Sequence, residues 1–413
     1  MKVAVLTLGC KVNECESRSV IAELKALGAE TTEEQEPADV YVVNTCSVTA
    51  EADRKSRQLA RKCSRLSPDA KIYVIGCSPM NDPSPFVGIP NAVYIGGVEG
   101  KSRIAASIMS DIIPEPRKNI TPAPRMFEEM PFPSHEKTRD YIKIQDGCNN
   151  FCSYCVIPYL RGRCRSRSLE SVVAEAEEAA RRTKEIVLTG IDVSSYGKDI
   201  GLSLTNVVRA LGHLDVRKRL SSFECTVIND ELLEALAEAG FNDHFHLSLQ
   251  SGCDKVLAAM NRHYDCERYA KAVSDIRRYF PNAGITTDVI AGFPGETRKD
   301  HEDTCAFVRS VAFADMHVFP YSERKGTRAA GMPQIPMEER RERAAELGKI
   351  KRELHRGFMS AQLGRTLSVY FEEHADGMVS GYSTNYVRVY SEDASPGEVR
   401  DVTASKIFKK GVR

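Results

Sequence analysis

Six short runs rich in β-branched and aromatic residues recur at 25- to 44-residue intervals through the middle of the chain: 141–145 (YIKIQ), 185–190 (EIVLTG), 219–224 (RLSSFE), 244–250 (HFHLSLQ), 284–292 (GITTDVIAG) and 316–322 (MHVFPYS). Helix-forming sequence separates each from the next, so they read as parallel strands whose chemistry lies at their C-terminal ends. Six units fall short of the usual eightfold closure. The expected fold class is therefore α/β, with a partial (β/α)6 barrel over 140–335.

The flanks differ from this middle. Residues 1–110 hold three further buried-strand runs, 3–8, 39–44 and 71–75, separated by helical patterns such as Val20, Leu24 and Leu27 and the stretch 50–66. That alternation predicts a parallel α/β sheet domain. Over 111–139, Pro114, Pro116, Pro122, Pro124, Pro131 and Pro133 remove backbone donors and predict a linker. A connecting helix over 336–360 carries one apolar stripe of Leu347, Ile350, Leu354 and Phe358. Residues 361–413 are β-type runs punctuated by Gly377, Gly381 and Gly397, the pattern of a small C-terminal β-barrel.

Charge excludes one class of partner contact. Lys plus Arg equals Asp plus Glu at 57 each, so nucleic-acid binding has to come from local patches. No run of 18 apolar residues and no cationic leader is evident, and the chain is expected to be cytoplasmic, with no membrane partner. Thirteen cysteines in such a setting point to metal or redox use rather than disulfides.

Cys148, Cys152 and Cys155 stand in DGCNNFCSYC, directly after the first barrel strand. Three thiolates in this spacing can hold three irons of a cubane cluster and leave the fourth open to a small molecule. A zinc knuckle or buried thiols also accommodate three cysteines, but the spacing, Tyr154 and the strand-end location favour the cluster. Cys10, Cys46 and Cys77 each follow one of the N-terminal strands, and parallel strand ends lie side by side. They can meet at one point and bind a second open cluster, or be small buried residues. Cys15, Cys63, Cys164, Cys225, Cys253, Cys266 and Cys305 read as packing or surface thiols.

The C-x3-C-x2-C run after a barrel strand resembles the radical S-adenosylmethionine superfamily. With TLGCKVNECES, VVNTCSVT, VIGC, KIQDGCNNFCSYCVIPYLRGRCRSR, LQSGCDKVLAAMNRHY, TDVIAGFPGET and HVFPYSERKGT, the chain resembles the methylthiotransferases nearly end to end. GCKVN and HVFPYSERKGT are most similar to the branch acting on N6-threonylcarbamoyladenosine. The resemblance implies two [4Fe-4S] clusters, S-adenosyl-L-methionine as both methyl donor and radical source, and a C-terminal RNA-binding TRAM domain. It implies a tRNA anticodon stem-loop as substrate, methylthiolated at C2 of adenosine 37, and an electron donor such as a flavodoxin or ferredoxin. The segment SPMNDP after Cys77, and Cys225 after Glu224 where Pro is frequent, depart from the family pattern.

Within that frame, Glu224 at a strand end either accepts hydrogen bonds from S-adenosylmethionine or is salt-bridged. Gly190, Gly292 and Gly295 follow strand ends where backbone approaches a cofactor, or are turn glycines. Tyr154 presents its backbone to adenine or packs beside the cluster. Arg161, Arg163, Arg165 and Arg167 follow the cysteine loop, a place for phosphates or a substrate carboxylate, or for a solvated basic loop. Arg54, Arg57, Arg61 and Arg65 share a helix face beside Lys55 and Lys62, suited to an RNA backbone or simply to water. In the C-terminal part, Tyr382, Tyr386, Arg388 and Lys406 are candidates for RNA or ordinary surface residues. The rival activities are methylthiolation of isopentenyladenosine in tRNA or of a ribosomal-protein aspartate. A non-catalytic metal-binding RNA-binding protein is the rival from another class.

Overall fold

The computed structural model describes residues 1–113, 118–133, 138–375 and 377–413. Its first sheet has six parallel strands: β1 (Lys2–Thr7), β2 (Glu30–Thr32), β3 (Val40–Thr45), β4 (Lys71–Gly76), β5 (Ala92–Gly96) and β6 (Lys118–Asn119), in the order β2-β1-β3-β4-β5-β6. Alternate residues face two layers. Val3, Val5, Val42 and Tyr73 pack with Val20, Ile21 and Leu24 of α1 (Lys11–Ala26), while Leu6, Tyr41, Val43 and Val74 pack with Ala60 and Cys63 of α2 (Ala50–Leu66). Strands buried on both faces are continuous apolar runs, which is why β1, β3 and β4 are legible in the sequence. β2, β5 and β6 are additions to that reading. β6 lies in the proline-rich linker, whose Pro114 and Pro116 fall outside the described residues.

The middle region begins with β7 (Asp140–Lys143). Next, β8 (Gln145–Asp146) pairs antiparallel with β9 (Arg165–Ser166), pinching the base of the cysteine loop. Gly147 makes that pinch possible. Its φ is +70°, and a Cβ there would run into the Arg163 carbonyl. β10 (Glu185–Thr189) and β11 (Arg217–Leu220) join β7 in one parallel sheet, and β12 (His244–His246), β13 (Gly284–Ala291) and β14 (Asp315–Pro320) form another. Single parallel bridges, Lys218 to Phe241 and Phe223 to Leu247, link the two into a six-strand half-barrel in sequence order. β11 ends before the expected 224 because the Glu224 amide turns to the Ser194 hydroxyl at 2.7 Å instead of a neighbouring strand.

The helix α3 (Met337–Ser360) divides its apolar stripe between two cores. Leu347, Ile350 and Leu354 pack on the barrel, and Phe358 and Met359 on the C-terminal core. There β15 (Thr366–Ala375), β16 (Met378–Ser383), β17 (Arg388–Ser391), β18 (Val399–Thr403), β19 (Ile407–Phe408) and β20 (Gly411–Val412) form a mixed sheet in the order β18-β15-β16-β17-β20-β19. This sheet docks against the N-terminal ends of the barrel strands. Asn385 Nδ2 donates to the Asn282 carbonyl (3.1 Å) and Arg217 Nη2 to the Tyr382 carbonyl (3.1 Å). No helix among the described residues is long and apolar enough to cross a membrane.

Candidate metal centres and the cavity between them

Strand order in the N-terminal sheet reverses between β1 and β3, so their C-terminal ends, with that of β4, open a crevice. Cys10, Cys46 and Cys77 follow those three ends and line one cavity of about 440 Å³. Gly9 lets the chain pass close: φ is +112°, and a Cβ would sit 2.7 Å from Cys46 Sγ. Among the described residues no fourth thiol, imidazole or carboxylate lines this cavity. Burial raises the Cys77 thiol pKa and pushes Cys46 up to about 11, so metal binding must displace protons here.

A buried ionic network supports this site. Arg161, fully buried, donates to Cys77 Sγ (3.3 Å), Asn13 (2.6 Å), Asp146 (3.0 Å) and both Glu16 oxygens (3.0 and 3.2 Å). Lys101 and Lys143 also pair with Glu16, and Lys143 and Arg165 with Asp146. Four cations thus face two carboxylates. Burial would raise the Glu16 pKa, yet Arg161, Lys101 and Lys143 hold it well below the carboxylate range. The surplus positive charge beside three thiols fits an anionic sulfur-ligated cluster.

The second thiol set, Cys148, Cys152 and Cys155, lies within the loop that β8 and β9 close at its base. Burial raises Cys148 and Cys155, the latter to about 12, with neighbouring thiols adding to each. Arg262 Nη1 donates to Cys152 Sγ (3.1 Å), and its Nη2 pairs with Glu224 (2.7 Å). Asn150 Nδ2 bridges Glu224 (3.1 Å) and Asp192 (3.2 Å). Asn150, Asp192 and Arg262 were not singled out from the sequence. Asn150 lies inside the cysteine loop and Arg262 inside LQSGCDKVLAAMNRHY, so their positions were available but not their convergence. Ile157 and Arg161, just beyond Cys155, wall the Cys10–Cys46–Cys77 cavity, as does Gly190.

A further cavity of about 490 Å³ fills the inside of the half-barrel, lined by Lys11, Arg219, His244, His246, Asp288, His317 and, from the C-terminal sheet, Tyr382, Tyr386 and Arg388. Lys11, Ser221 and Ser222 belong to both cavities, which therefore adjoin. His244, Tyr386 and Tyr382 stack successively at 4.5 Å, and the Arg219 guanidinium lies 4.3 Å from the Tyr386 ring centre. Enclosure by protein, then Arg219 and Arg139, pushes the Lys11 pKa down to about 8.

Several sequence expectations change. Arg161, Arg165 and Arg167 do not form an RNA-contacting loop, because all three are buried and ion-paired, Arg167 with Glu129 and Glu175. Arg163 alone of that run is exposed, over the Phe151 ring. Gly292 is covered by α3: a Cβ at its φ of +70° would lie 2.7 Å from Arg340 Cγ, so helix packing by itself accounts for a glycine here. Gly295 sits exposed in an open turn. Tyr154 packs with Cys253, Val256, Met260, Phe293 and Tyr321. Tyr382 and Tyr386 face the barrel cavity instead of the outer surface. Arg388 also lines that cavity and pairs with Glu373 (2.9 Å), whereas Lys406 is exposed. On α2, Arg54, Arg61 and Arg65 are exposed and Arg57 half-buried, Arg54 being paired with Glu51.

Comparison with known proteins adds independent findings. Residues 142–308 match the Radical SAM superfamily, and residues 2–95 the Uncharacterized protein family UPF0004. The chain is 36% identical to the threonylcarbamoyladenosine tRNA methylthiotransferase MtaB of Bacillus subtilis, over 99% of this chain and 94% of that protein. It is 33% identical to the MtaB of Thermotoga maritima (99% and 96%). It is also 33% identical to the tRNA-2-methylthio-N(6)-dimethylallyladenosine synthase of Caldicellulosiruptor saccharolyticus (92% and 82%). Among solved structures, the fold is similar to the radical S-adenosylmethionine methyltransferase TsrM from Kitasatospora setae, with a TM-score of 0.59 at 15% identity over 80% of this chain and 77% of that one.

Proposed function

The chain belongs to the radical S-adenosylmethionine methylthiotransferases, and from that premise we propose that it methylthiolates C2 of N6-threonylcarbamoyladenosine at position 37 of tRNA. The observation that carries this reading is the pair of three-thiol sets, one in each of two adjoining domains, with Ile157 and Arg161, just beyond Cys155, lining the Cys10–Cys46–Cys77 cavity. Cys148, Cys152 and Cys155 would hold the cluster that binds S-adenosylmethionine, and Cys10, Cys46 and Cys77 the auxiliary one. When bound, these groups supply the electron, the radical and the methylated sulfur that an unactivated aromatic C–H bond requires.

The chain's own residues do the positioning. Arg262 and Arg161 each donate to one ligand sulfur, fixing its orientation and favouring the thiolate. Glu224, tied by Arg262 and Asn150, and Gly190 would hold S-adenosylmethionine next to Cys148 and Cys152. The barrel cavity receives the nucleoside and keeps bulk water from it. Outside, Arg54, Arg57, Arg61, Arg163 and Lys406 would contact backbone phosphates of the anticodon stem-loop. A small electron-transfer protein, such as a flavodoxin or ferredoxin, supplies reducing equivalents.

The choice of a threonylcarbamoyl over a dimethylallyl group is supported by the cavity's charged and imidazole lining, which suits a polar N6 substituent and not a hydrocarbon one. The test is anaerobic incubation of reconstituted protein with reductant, S-adenosylmethionine, sulfide and tRNA, followed by nucleoside mass spectrometry. The expected product is 2-methylthio-N6-threonylcarbamoyladenosine; absence of any 2-methylthio nucleoside overturns the proposal.

A further inference from the structure

We infer that Lys11, backed by Arg219, binds the carboxylate of the threonyl group and so selects an acidic N6 substituent; this rests on the tRNA reading above. Lys11 follows a thiol-bearing residue and lies at the threshold of the two adjoining cavities, lining both. A base held near the thiol sets would place an N6 substituent past this side chain into the barrel.

Lys11 has no ion-pair or hydrogen-bond partner among the described residues. Its ammonium lies over the face of Tyr141, 5.6 Å from the ring centre. The charges that act on it most are the cations Arg219 and Arg139, and the nearby acid, Glu14, is already paired with Arg18 at 2.9 Å. Arg139, Arg217 and Arg219 all converge on the single carboxylate of Glu185 at 2.9, 3.6 and 3.1 Å, and among the described residues only Arg139 has a second ion-pair partner, Glu372. Elsewhere in the cavity the acids are engaged, Asp288 with His246 (3.2 Å) and Asp315 with Lys351 (3.3 Å). A shielded, unneutralised ammonium next to a guanidinium is a receptor for an anion.

Two anions are available in the substrate: the carboxylate of the threonyl group and a backbone phosphate. The cavity is walled in part by the stacked His244, Tyr386 and Tyr382 and, at about 490 Å³, has the size of a small-molecule site, which suits a nucleoside substituent. A backbone strand needs an open groove instead.

The experiment compares two anticodon stem-loops, one with N6-threonylcarbamoyladenosine as the free acid and one with its neutral carboxamide. Wild-type holoenzyme, Lys11→Gln and Lys11→Arg are assayed for 2-methylthio product, with iron content and S-adenosylmethionine cleavage measured alongside. Wild type should prefer the acid in kcat/KM by roughly 10- to 100-fold, the worth of one enclosed charge-assisted hydrogen bond. Lys11→Gln should collapse the acid-to-amide ratio to near unity, and Lys11→Arg should preserve it. Equal use of acid and amide by wild type overturns the inference. So does an equal loss on both substrates in Lys11→Gln, which would assign Lys11 to a phosphate or to the neighbouring thiol site. No methylthio product from either stem-loop overturns the tRNA reading itself, and the inference with it.

Discussion

Replacing Arg161 by Met tests how the two domains are welded together. The side chain makes five hydrogen bonds to four residues, and Glu16 and Asn13 belong to the N-terminal sheet domain while Asp146 belongs to the barrel. Removing one partner of a buried pair costs about 3–5 kcal/mol. Here the low end applies, since Glu16 keeps Lys101 and Lys143, and Asp146 keeps Lys143 and Arg165. Glu16→Met should cost more, because three cations lose their shared carboxylate. In the double variant one charge of each sign is gone, so the surplus returns to its original value. The two effects should then be non-additive by about 2 kcal/mol. The assay is urea unfolding of the metal-free, reduced chain, followed by circular dichroism and by the fluorescence of its 15 tyrosines, since the chain has no tryptophan. Additivity within about 0.5 kcal/mol would refute the network as drawn.

Other consequences follow from single features. Gly292→Ala should cost ~2–4 kcal/mol through left-handed strain plus collision with Arg340, whereas Gly295→Ala, with open space around it, should cost ~1 kcal/mol; equal melting temperatures would contradict this. Burial pulls the His301 pKa down, but Cys305, Glu296 and Glu346 outweigh it and lift the imidazole to about 10 from 6.5. Its stabilising contribution is therefore complete below pH 6.5 and lost as pH rises through about 10. The difference in melting temperature between wild type and His301→Gln should shrink over that window, and parallel curves would show the coupling to be absent. Arg57→Glu and Arg61→Glu should each weaken tRNA binding and lower the slope of log K against log salt by about 1. Unchanged slopes would remove α2 from the RNA contact surface.

What the sequence disclosed was whatever repeats with a period. Parallel strands buried on both faces are continuous apolar runs, so β1, β3, β4 and the six barrel strands were readable. Because each N-terminal thiol follows a strand end, the meeting of Cys10, Cys46 and Cys77 was readable too. Charge was not. RGRCRSR looks like a nucleic-acid loop, yet Arg161 finds its carboxylate 145 residues away in Glu16, a pairing created by domain docking. The packing of α3 across Gly292, which by itself calls for a glycine, was equally invisible in the sequence. Lys11 carried no signal by itself, since its significance comes from Tyr141, Arg139 and Arg219, each distant along the chain.

The central claim is that two separate sets of three thiols each carry a four-iron cluster. Mössbauer spectroscopy with iron and sulfide analysis of anaerobically reconstituted protein tests it most directly. Wild type should hold about eight irons per chain, and the Cys10→Ala/Cys46→Ala/Cys77→Ala and Cys148→Ala/Cys152→Ala/Cys155→Ala variants about four each. About four irons in wild type, unchanged when Cys10, Cys46 and Cys77 are replaced, would contradict it.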